Sequence, residues 1–267
     1  MTIDEGKVRF MSFSSGSSGN CYCFEYSGGA VLVDAGVSIR HLKAGLQTYG
    51  ISPERIRGVL ITHDHADHIR NLGSFCKKLR IPVWMTSELR ASAPVGWMTG
   101  PFLDPVVRIL PASGAAQIIP SEVYATPFIV PHDATQTVGY LIDILGHRIV
   151  IMTDIGAMTE EASEFARKAS TVIVEANYDL QMLLEGPYPK ALQDRIRSGH
   201  GHLSNSECAE AVAGFMHEGL RNVFLCHLSA HNNTPEKALA EVGKVLGGSG
   251  VRLTALPRTE CSPLFEL

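Results

Sequence analysis

Three imidazoles and a carboxylate fall within six positions of this chain, in His63-Asp64-His65-Ala66-Asp67-His68, directly after the apolar run Val59-Leu60-Ile61. Helical neighbours recur every three or four residues, so these side chains cannot share one helix face. On a loop leaving a buried strand they can converge. His63 and His65 would then serve one metal ion, and Asp67 and His68 a second beside it. Neutral imidazole and carboxylate suit zinc or its first-row neighbours. A lone His-x-His reads as a polar turn; the full pattern at a strand end reads as a metal site.

Further ligand-type residues sit immediately after other apolar runs. Asp34 follows Val31-Leu32-Val33, His132 follows Phe128-Ile129-Val130-Pro131, Asp154 follows Ile149-Val150-Ile151-Met152-Thr153, and His227 follows Val223-Phe224-Leu225-Cys226. Singly, each is a turn residue or a satisfied core group. Together they repeat one arrangement, in which loops at strand ends gather side chains into one site. Two ions need about six to eight protein and water ligands, of which the cluster offers four. His132, Asp154 and His227 complete the set.

The elements that must position these residues can be read from patterning. Strands are expected over 7–13, then over 21–26 and 30–34 as a hairpin across Ser27-Gly28-Gly29, followed by a helix over 38–49. An amphipathic helix should run from His68 to about Leu79, then a short strand, Pro82-Val83-Trp84-Met85. Residues 91–105, rich in Pro and Gly, read as an irregular surface loop. Strands follow over 106–110, 116–119, 122–129, 137–144 and 147–152, a helix over 158–168, and the buried strand Thr171–Glu175. Ser204 and Glu207 form a capping-box pattern, and Thr234-Pro235 opens another helix. Ser14-Ser15-Gly16-Ser17-Ser18-Gly19-Asn20 lacks the Gly-Lys-Ser/Thr ending of a phosphate-binding P-loop, leaving a tight turn or a substrate-facing loop. Runs of strands followed by helices in each half suggest two sheets packed face to face with helices outside. With 267 residues and no long linker, the expectation is a single domain over 1–267.

Composition narrows the function classes. The chain is 45% hydrophobic with a formal net charge of -4, which supports a sizeable core and argues against a general polyanion binder. Cys21, Cys23, Cys76, Cys208, Cys226 and Cys261 include no Cys-x-x-Cys pair, so they read as reduced and mostly buried, as in a cytoplasmic protein. The polar start Met1-Thr2-Ile3-Asp4-Glu5-Gly6 does not resemble a signal peptide. No apolar run approaches the ~18–20 residues of a membrane span.

In their order, Asp34, the histidine cluster, His132, Asp154 and His227 resemble the five motifs of the metallo-β-lactamase superfamily. That resemblance implies an α/β fold, a four-layer αββα sandwich of two mixed sheets flanked by helices. Within the superfamily the chain is similar to the YycJ/WalJ/VicX group over nearly its whole length. The residues that carry this include Ser15–Asn20, His132-Asp133-Ala134 with Gly139-Tyr140, and Glu175-Ala176-Asn177-Tyr178-Asp179. Gly186-Pro187-Tyr188-Pro189, Gly201-His202-Leu203-Ser204-Asn205 and His227-Leu228-Ser229 with Asn232-Asn233-Thr234-Pro235 continue it. Where the group carries an acidic residue after His-Leu-Ser this chain has His231, which receives no role.

The resemblance implies that His63, His65 and His132 hold one divalent ion and Asp67, His68 and His227 the other. Asp154 would bridge them and Asp34 would support a ligand from behind. Zinc or manganese is expected, with iron a further option. The implied activity is a phosphodiesterase, a nuclease like a DNA exonuclease, using a hydroxide that bridges the ions. Asp67, Glu175 and His202 are the residues assigned to the chemistry, Glu175 and His202 matching the pair that acts on the leaving oxygen in ribonuclease Z-like enzymes. Nucleic acid is the expected partner, DNA ahead of RNA, with no membrane; the oligomeric state stays open. Between His132 and Asp154 there is room for little more than a hairpin, so the tRNA-gripping arm of ribonuclease Z is not expected there.

Charge favours a phosphoester: two dications, Asp67, Asp154 and a bridging hydroxide leave about +1, suited to an anionic diester. A basic rim would come from Arg70, Lys77, Lys78 and Arg80, and from Lys190, Arg195 and Arg197, unless these are solvated helix faces. The alternatives are a metallo-hydrolase of another ester, a thioester or a lactone on the same fold, and a non-catalytic regulatory protein. A leaving alkoxide needs a proton more than a thiolate does, so Glu175 and His202 favour the phosphodiesterase. A full ligand set argues against a dead site.

Overall fold

Apolar residues on both faces of the strands dictate that each sheet is covered twice. A computed structural model describes residues 6–267; the signal-peptide reading concerns Met1–Glu5, which lie outside them, together with Gly6. In the first half, β1 (Val8–Gly16), β2 (Gly19–Tyr26) and β3 (Gly29–Val33) form an antiparallel meander. β4 (Ile56–Leu60), β5 (Val83–Met85) and β6 (Val107–Ile109) extend it in parallel. In the second half, β7 (Ala116–Ile119), β8 (Val123–Ile129), β9 (Val138–Ile144) and β10 (His147–Met152) are antiparallel. β11 (Thr171–Glu175), β12 (Asn222–Cys226) and β13 (Arg252–Ala255) continue that sheet in parallel, and β14 (Phe265–Glu266) returns to the outer edge of β1.

Alternation assigns the faces. Phe10, Tyr22, Phe24, Val31 and Val33 point into the core between the sheets, where they meet Ile149, Ile151, Ile173 and Phe224. Phe10 and Phe224, from opposite sheets, have ring centroids 4.8 Å apart; burying side chains of this size contributes roughly 1.5–3 kcal/mol each. Met11, Cys23, Leu32 and Val59 face outward under the first layer of helices. That layer comprises α1 (Ile39–Thr48), α2 (Ala66–Ile69), α3 (Leu72–Lys78), α4 (Ser87–Ala91) and α5 (Ala93–Thr99). The second half carries α6 (Glu160–Ala166), α7 (Leu180–Glu185), α8 (Lys190–Ile196), α9 (Asn205–Phe215) and α10 (Pro235–Leu246). Val150, Val172, Val174, Val212 and Val242 join α9 and α10 to the outer face of the second sheet. The result is the expected αββα sandwich.

Two expectations need correction. Residues 91–105 are not an irregular loop: α4 ends at Ala91, and α5 with a 3-10 turn over Gly100–Phe102 occupies most of the segment. Thr86 and Ser92 cap α4 and α5, their hydroxyls accepting from the backbone N–H of Leu89 and Val95, and a proline stands in the first turn of α5. Its Pro and Gly residues punctuate short helices instead of preventing them. The single helix expected after His68 is two, because Asn71 N–H bonds to Ala35 O at 3.1 Å and its side chain to Gly36 O at 2.9 Å. α7, α8, β13 and β14 carried no expectation. All six cysteines are free, and among the described residues no helix is long and apolar enough to cross a membrane.

Candidate metal centre

β3, β4, β10, β11 and β12 all deliver polar residues at their C-terminal ends, along one edge of the two sheets, where crevices form in parallel sheets. Asp34, Asp154 and His227 stand directly after β3, after Thr153 beyond β10, and after β12, and all three have left-handed backbone with φ of 64°, 54° and 53°. Such a conformation costs a non-glycine residue roughly 1–2 kcal/mol, so packing around the site must hold it. It turns the chain off the sheet at the residue that carries the candidate ligand side chain.

His63, His65 and His132 each present a ring nitrogen, the three lying within 4.8 Å of one another. His132 Nδ1 donates to Gly201 O at 2.8 Å, which leaves Nε2 as the lone-pair nitrogen. His63 Nδ1 lies 3.0 Å from Thr62 Oγ1, whereas His63 Nε2 is buried with no hydrogen-bond partner. Leaving a buried polar atom unmatched costs about 1–3 kcal/mol, and a cation accepting its lone pair removes that cost. The donor set fits a divalent ion such as zinc or manganese.

Asp67, His68 and His227 form an adjoining group of the same dimensions. His68 Nδ1 donates to Asp34 Oδ2 at 2.7 Å, and Asp34 also accepts from Thr62 N–H at 2.9 Å and from its hydroxyl. His227 Nδ1 donates to Glu175 Oε1 at 3.0 Å. Both imidazoles thus turn Nε2 toward Asp67 Oδ2, at 3.6 and 3.4 Å, the ring pinned from behind by a carboxylate as metal-ligating histidines are. Asp154 lies between the groups, Oδ2 3.0 Å from His68 Nε2 and Oδ1 3.7 Å from His132 Nε2.

Glu175 is fully buried and its oxygens are occupied: Oε2 accepts from Ile155 N–H at 2.9 Å and Leu203 N–H at 3.3 Å, while Oε1 meets His202 Nδ1 at 2.7 Å. Its contacts are thus with the protein itself, and His202 stands between it and the cavity. The His202 side chain keeps 22% exposure and lines the cavity over the site.

Protonation divides the two groups. Burial pushes the pKa values of His63 and His132 down, leaving neutral imidazoles. Burial opposes charge on His68 too, but Asp154, Asp34 and Asp67 outweigh it and pull it up to about 10. His227 is raised well above its ordinary range by Asp154, Asp67 and Glu175 against the same desolvation. These imidazoles in turn hold Asp154 and Asp67 below the usual carboxylate range despite burial. Glu175, with Asp154 behind it, raises His202 against desolvation.

The cavity over these residues has a volume of about 250 Å³. Of the basic residues considered for a rim, Arg195 lines it, paired with Asp133 at 2.5 Å. Lys77 and Arg80 line a separate cavity, Lys77 lying over the Phe102 ring, and Lys190 pairs with Asp194. Most of that expected rim is thus a set of solvated or locally paired charges. His231 stands edge-on to Tyr188. Sequence reasoning gave no role to Thr62, which ties Asp34 to His63, or to Asp64, which accepts from Thr135 N–H and Oγ1 and joins the cluster loop to the loop after His132. The Ser14–Asn20 stretch is a tight hairpin between β1 and β2 with Asn20 inside the site, 3.1 Å from Asp67 Oδ2.

A family model described as a β-lactamase superfamily domain matches residues 30–227. Exodeoxyribonuclease WalJ of Streptococcus pneumoniae is 30% identical over 236 residues, covering 88% of this chain and 87% of that protein. Exodeoxyribonuclease YycJ of Bacillus anthracis is 27% identical over 250 residues, covering 91% of this chain and 90% of that one. Among solved structures, the metallo-β-lactamase fold protein YhfI from Bacillus subtilis has a TM-score of 0.72 over 98% of this chain and 100% of that one. At 15% identity that likeness is one of fold.

Proposed function

Because the chain belongs to the β-lactamase superfamily, and within it to the YycJ/WalJ group of hydrolases, we propose that it is a dinuclear-metal phosphodiesterase acting on nucleic acid, DNA ahead of RNA. The observation that carries this reading is the His202–Glu175 pair at 2.7 Å, set in the same cavity as the ligand groups. The names of the two exodeoxyribonuclease relatives support DNA as the substrate.

On this reading His63, His65 and His132 hold one ion, Asp67, His68 and His227 the other, and Asp154 both. Such ions, zinc or manganese, supply Lewis acidity toward a phosphoryl oxygen and make hydroxide accessible at neutral pH. The chain's own residues do the rest. Asp34 and Glu175 fix His68 and His227 through their Nδ1 atoms, so that neither ring rotates out of register. Breaking the phosphodiester expels a nucleotide oxygen that leaves poorly as an alkoxide. His202, held through Nδ1 by Glu175, has Nε2 free to give that oxygen its proton. A thioester hydrolase, which expels a thiolate, would have no comparable need for this pair.

The test is a substrate panel. Protein loaded with manganese or zinc is incubated with end-labelled single- and double-stranded DNA and RNA, beside a thioester and a β-lactam. Shortening of DNA with the β-lactam nearly untouched is expected. Efficient thioester cleavage without hydrolysis of any phosphodiester would overturn the reading.

A further inference from the structure

Asn20 ends the Ser15–Asn20 stretch, and neither the fold nor the proposed chemistry has yet given it a task. It is fully buried. Its Nδ2 lies 3.1 Å from Gly16 O, 3.1 Å from Asp67 Oδ2 and 2.9 Å from His68 Nε2. The atom facing the Gly16 carbonyl must be a donor, which fixes the amide orientation, and Oδ1 correspondingly faces the Tyr22 hydroxyl at 3.4 Å.

An amide nitrogen has two hydrogens, and Gly16 O and Asp67 Oδ2 are two acceptors within reach. The third neighbour is His68 Nε2, the atom that faces the second ion's place. With an ion on that nitrogen, Gly16 O and Asp67 Oδ2 remain as partners for the two hydrogens, so Asn20 is fully satisfied in the loaded site. Asp67 needs such a partner: its side chain is 18% exposed, on the first turn of the four-residue helix α2.

The backbone around Asn20 is built for close approach. Gly36 N–H donates to Asn20 O at 2.9 Å, and a Cβ on Gly36 would stand 1.8 Å from Asp67 O and 2.5 Å from Asn20 N. Hairpin, β3 loop and cluster loop thus meet backbone to backbone. From the same hairpin, Ser15 Oγ accepts from His227 N–H at 2.9 Å.

We propose that Asn20 is a positioning residue for the second ion: by holding Asp67 Oδ2 in line with His68 and His227 it sets the affinity for that ion and leaves the His63/His65/His132 ion unaffected. This rests on the reading that both groups hold metal, and it assigns the glycine- and serine-rich hairpin to the ligands instead of to a substrate phosphate.

The experiment titrates chelator-stripped wild type, Asn20→Ala and Asn20→Ser with Mn²⁺ and with Co²⁺, by calorimetry and by the cobalt absorption bands. Removing a group that orients a ligand typically weakens metal binding by about 10–100-fold. Both variants should lose the second ion on that scale while the first dissociation constant stays within about threefold of wild type. Two variants guard against one that folds poorly, and a general structural defect would weaken both ions together, which overturns the proposal. Unchanged binding of both ions overturns it as well, with the dinuclear reading intact. A wild type that takes fewer than two ions sinks the dinuclear reading and this inference with it.

Discussion

His202 Nδ1 and Glu175 Oε1 are 2.7 Å apart, and that contact leaves one nitrogen of His202 for chemistry. If Nε2 protonates the departing oxygen, His202→Ala should keep both metals and the fold while losing about 10²- to 10⁴-fold in kcat on DNA, the usual worth of a general acid. A p-nitrophenolate leaving group needs no proton, so hydrolysis of bis(p-nitrophenyl) phosphate should fall far less. Equal losses on the two substrates, or loss of metal, would remove His202 from that role.

Glu175 serves two masters, His202 and His227, through the same oxygen. Glu175→Gln should therefore show two signatures. The carboxylate raises His202 against the opposing effect of burial, so its removal lowers that pKa. If activity requires the protonated imidazole, the alkaline limb of the kcat profile should move to lower pH. The second ion should also bind more weakly, because His227 loses its charged anchor. A profile that keeps its limb, measured at saturating metal, would refute the coupling.

How much of this was legible in the sequence follows from distance along the chain. The cluster from His63 to His68 is contiguous, and Asp34, His132, Asp154 and His227 each announce themselves by ending an apolar run. The two-layer alternation of strands such as β10 and β11 is equally local. Thr62 and Asn20 were not legible in their roles, because nothing in a threonine beside a histidine or an asparagine ending a glycine-rich turn says which loop it will meet. Asn20 reaches Asp67 across 47 positions, and only the Gly36 contact makes that approach close enough. The helices in 91–105 were hidden for a different reason: proline and glycine read locally as helix breakers, whereas here Pro94 starts a helix and Gly100 ends it.

That Gly36 contact has a stability consequence. In Gly36→Ala the new methyl meets the Asp67 carbonyl and the Asn20 amide, both backbone, so no side chain can swing aside. Overpacking of this kind costs about 3 kcal/mol, or a Tm drop of roughly 6–12 °C at ~2–4 °C per kcal/mol for a chain of this size. Gly96→Ala, in α5 with nothing near its Cβ, is the control and should hold or raise Tm by thermal denaturation. Equal melting of the two variants would show that the three loops are not packed as described.

Metal uptake should release protons from one group and not from the other. Without an ion, His68 is drawn up to about 10 and His227 well above its usual range by the surrounding carboxylates, so at pH 7.5 both carry a proton on Nε2. Burial keeps His63 and His132 neutral at that pH. An ion at the second group must displace both Nε2 protons, while the Nδ1–H groups go on donating to Asp34 and Glu175. Linkage then fixes the sign: raising pH removes competing protons and strengthens binding there. Two displaced protons make the apparent affinity climb by up to about 100-fold per pH unit as long as the pH is below the raised values, levelling off as pH passes them. The first ion's affinity should be nearly flat over the same range. Calorimetric titration at pH 7.5 in buffers of different ionisation enthalpy reads this directly, since the apparent heat of the second event should scale with the buffer and that of the first should not. Heats independent of buffer for both events would mean that His68 and His227 are already deprotonated, and that the carboxylates around them do not hold charge on the empty site.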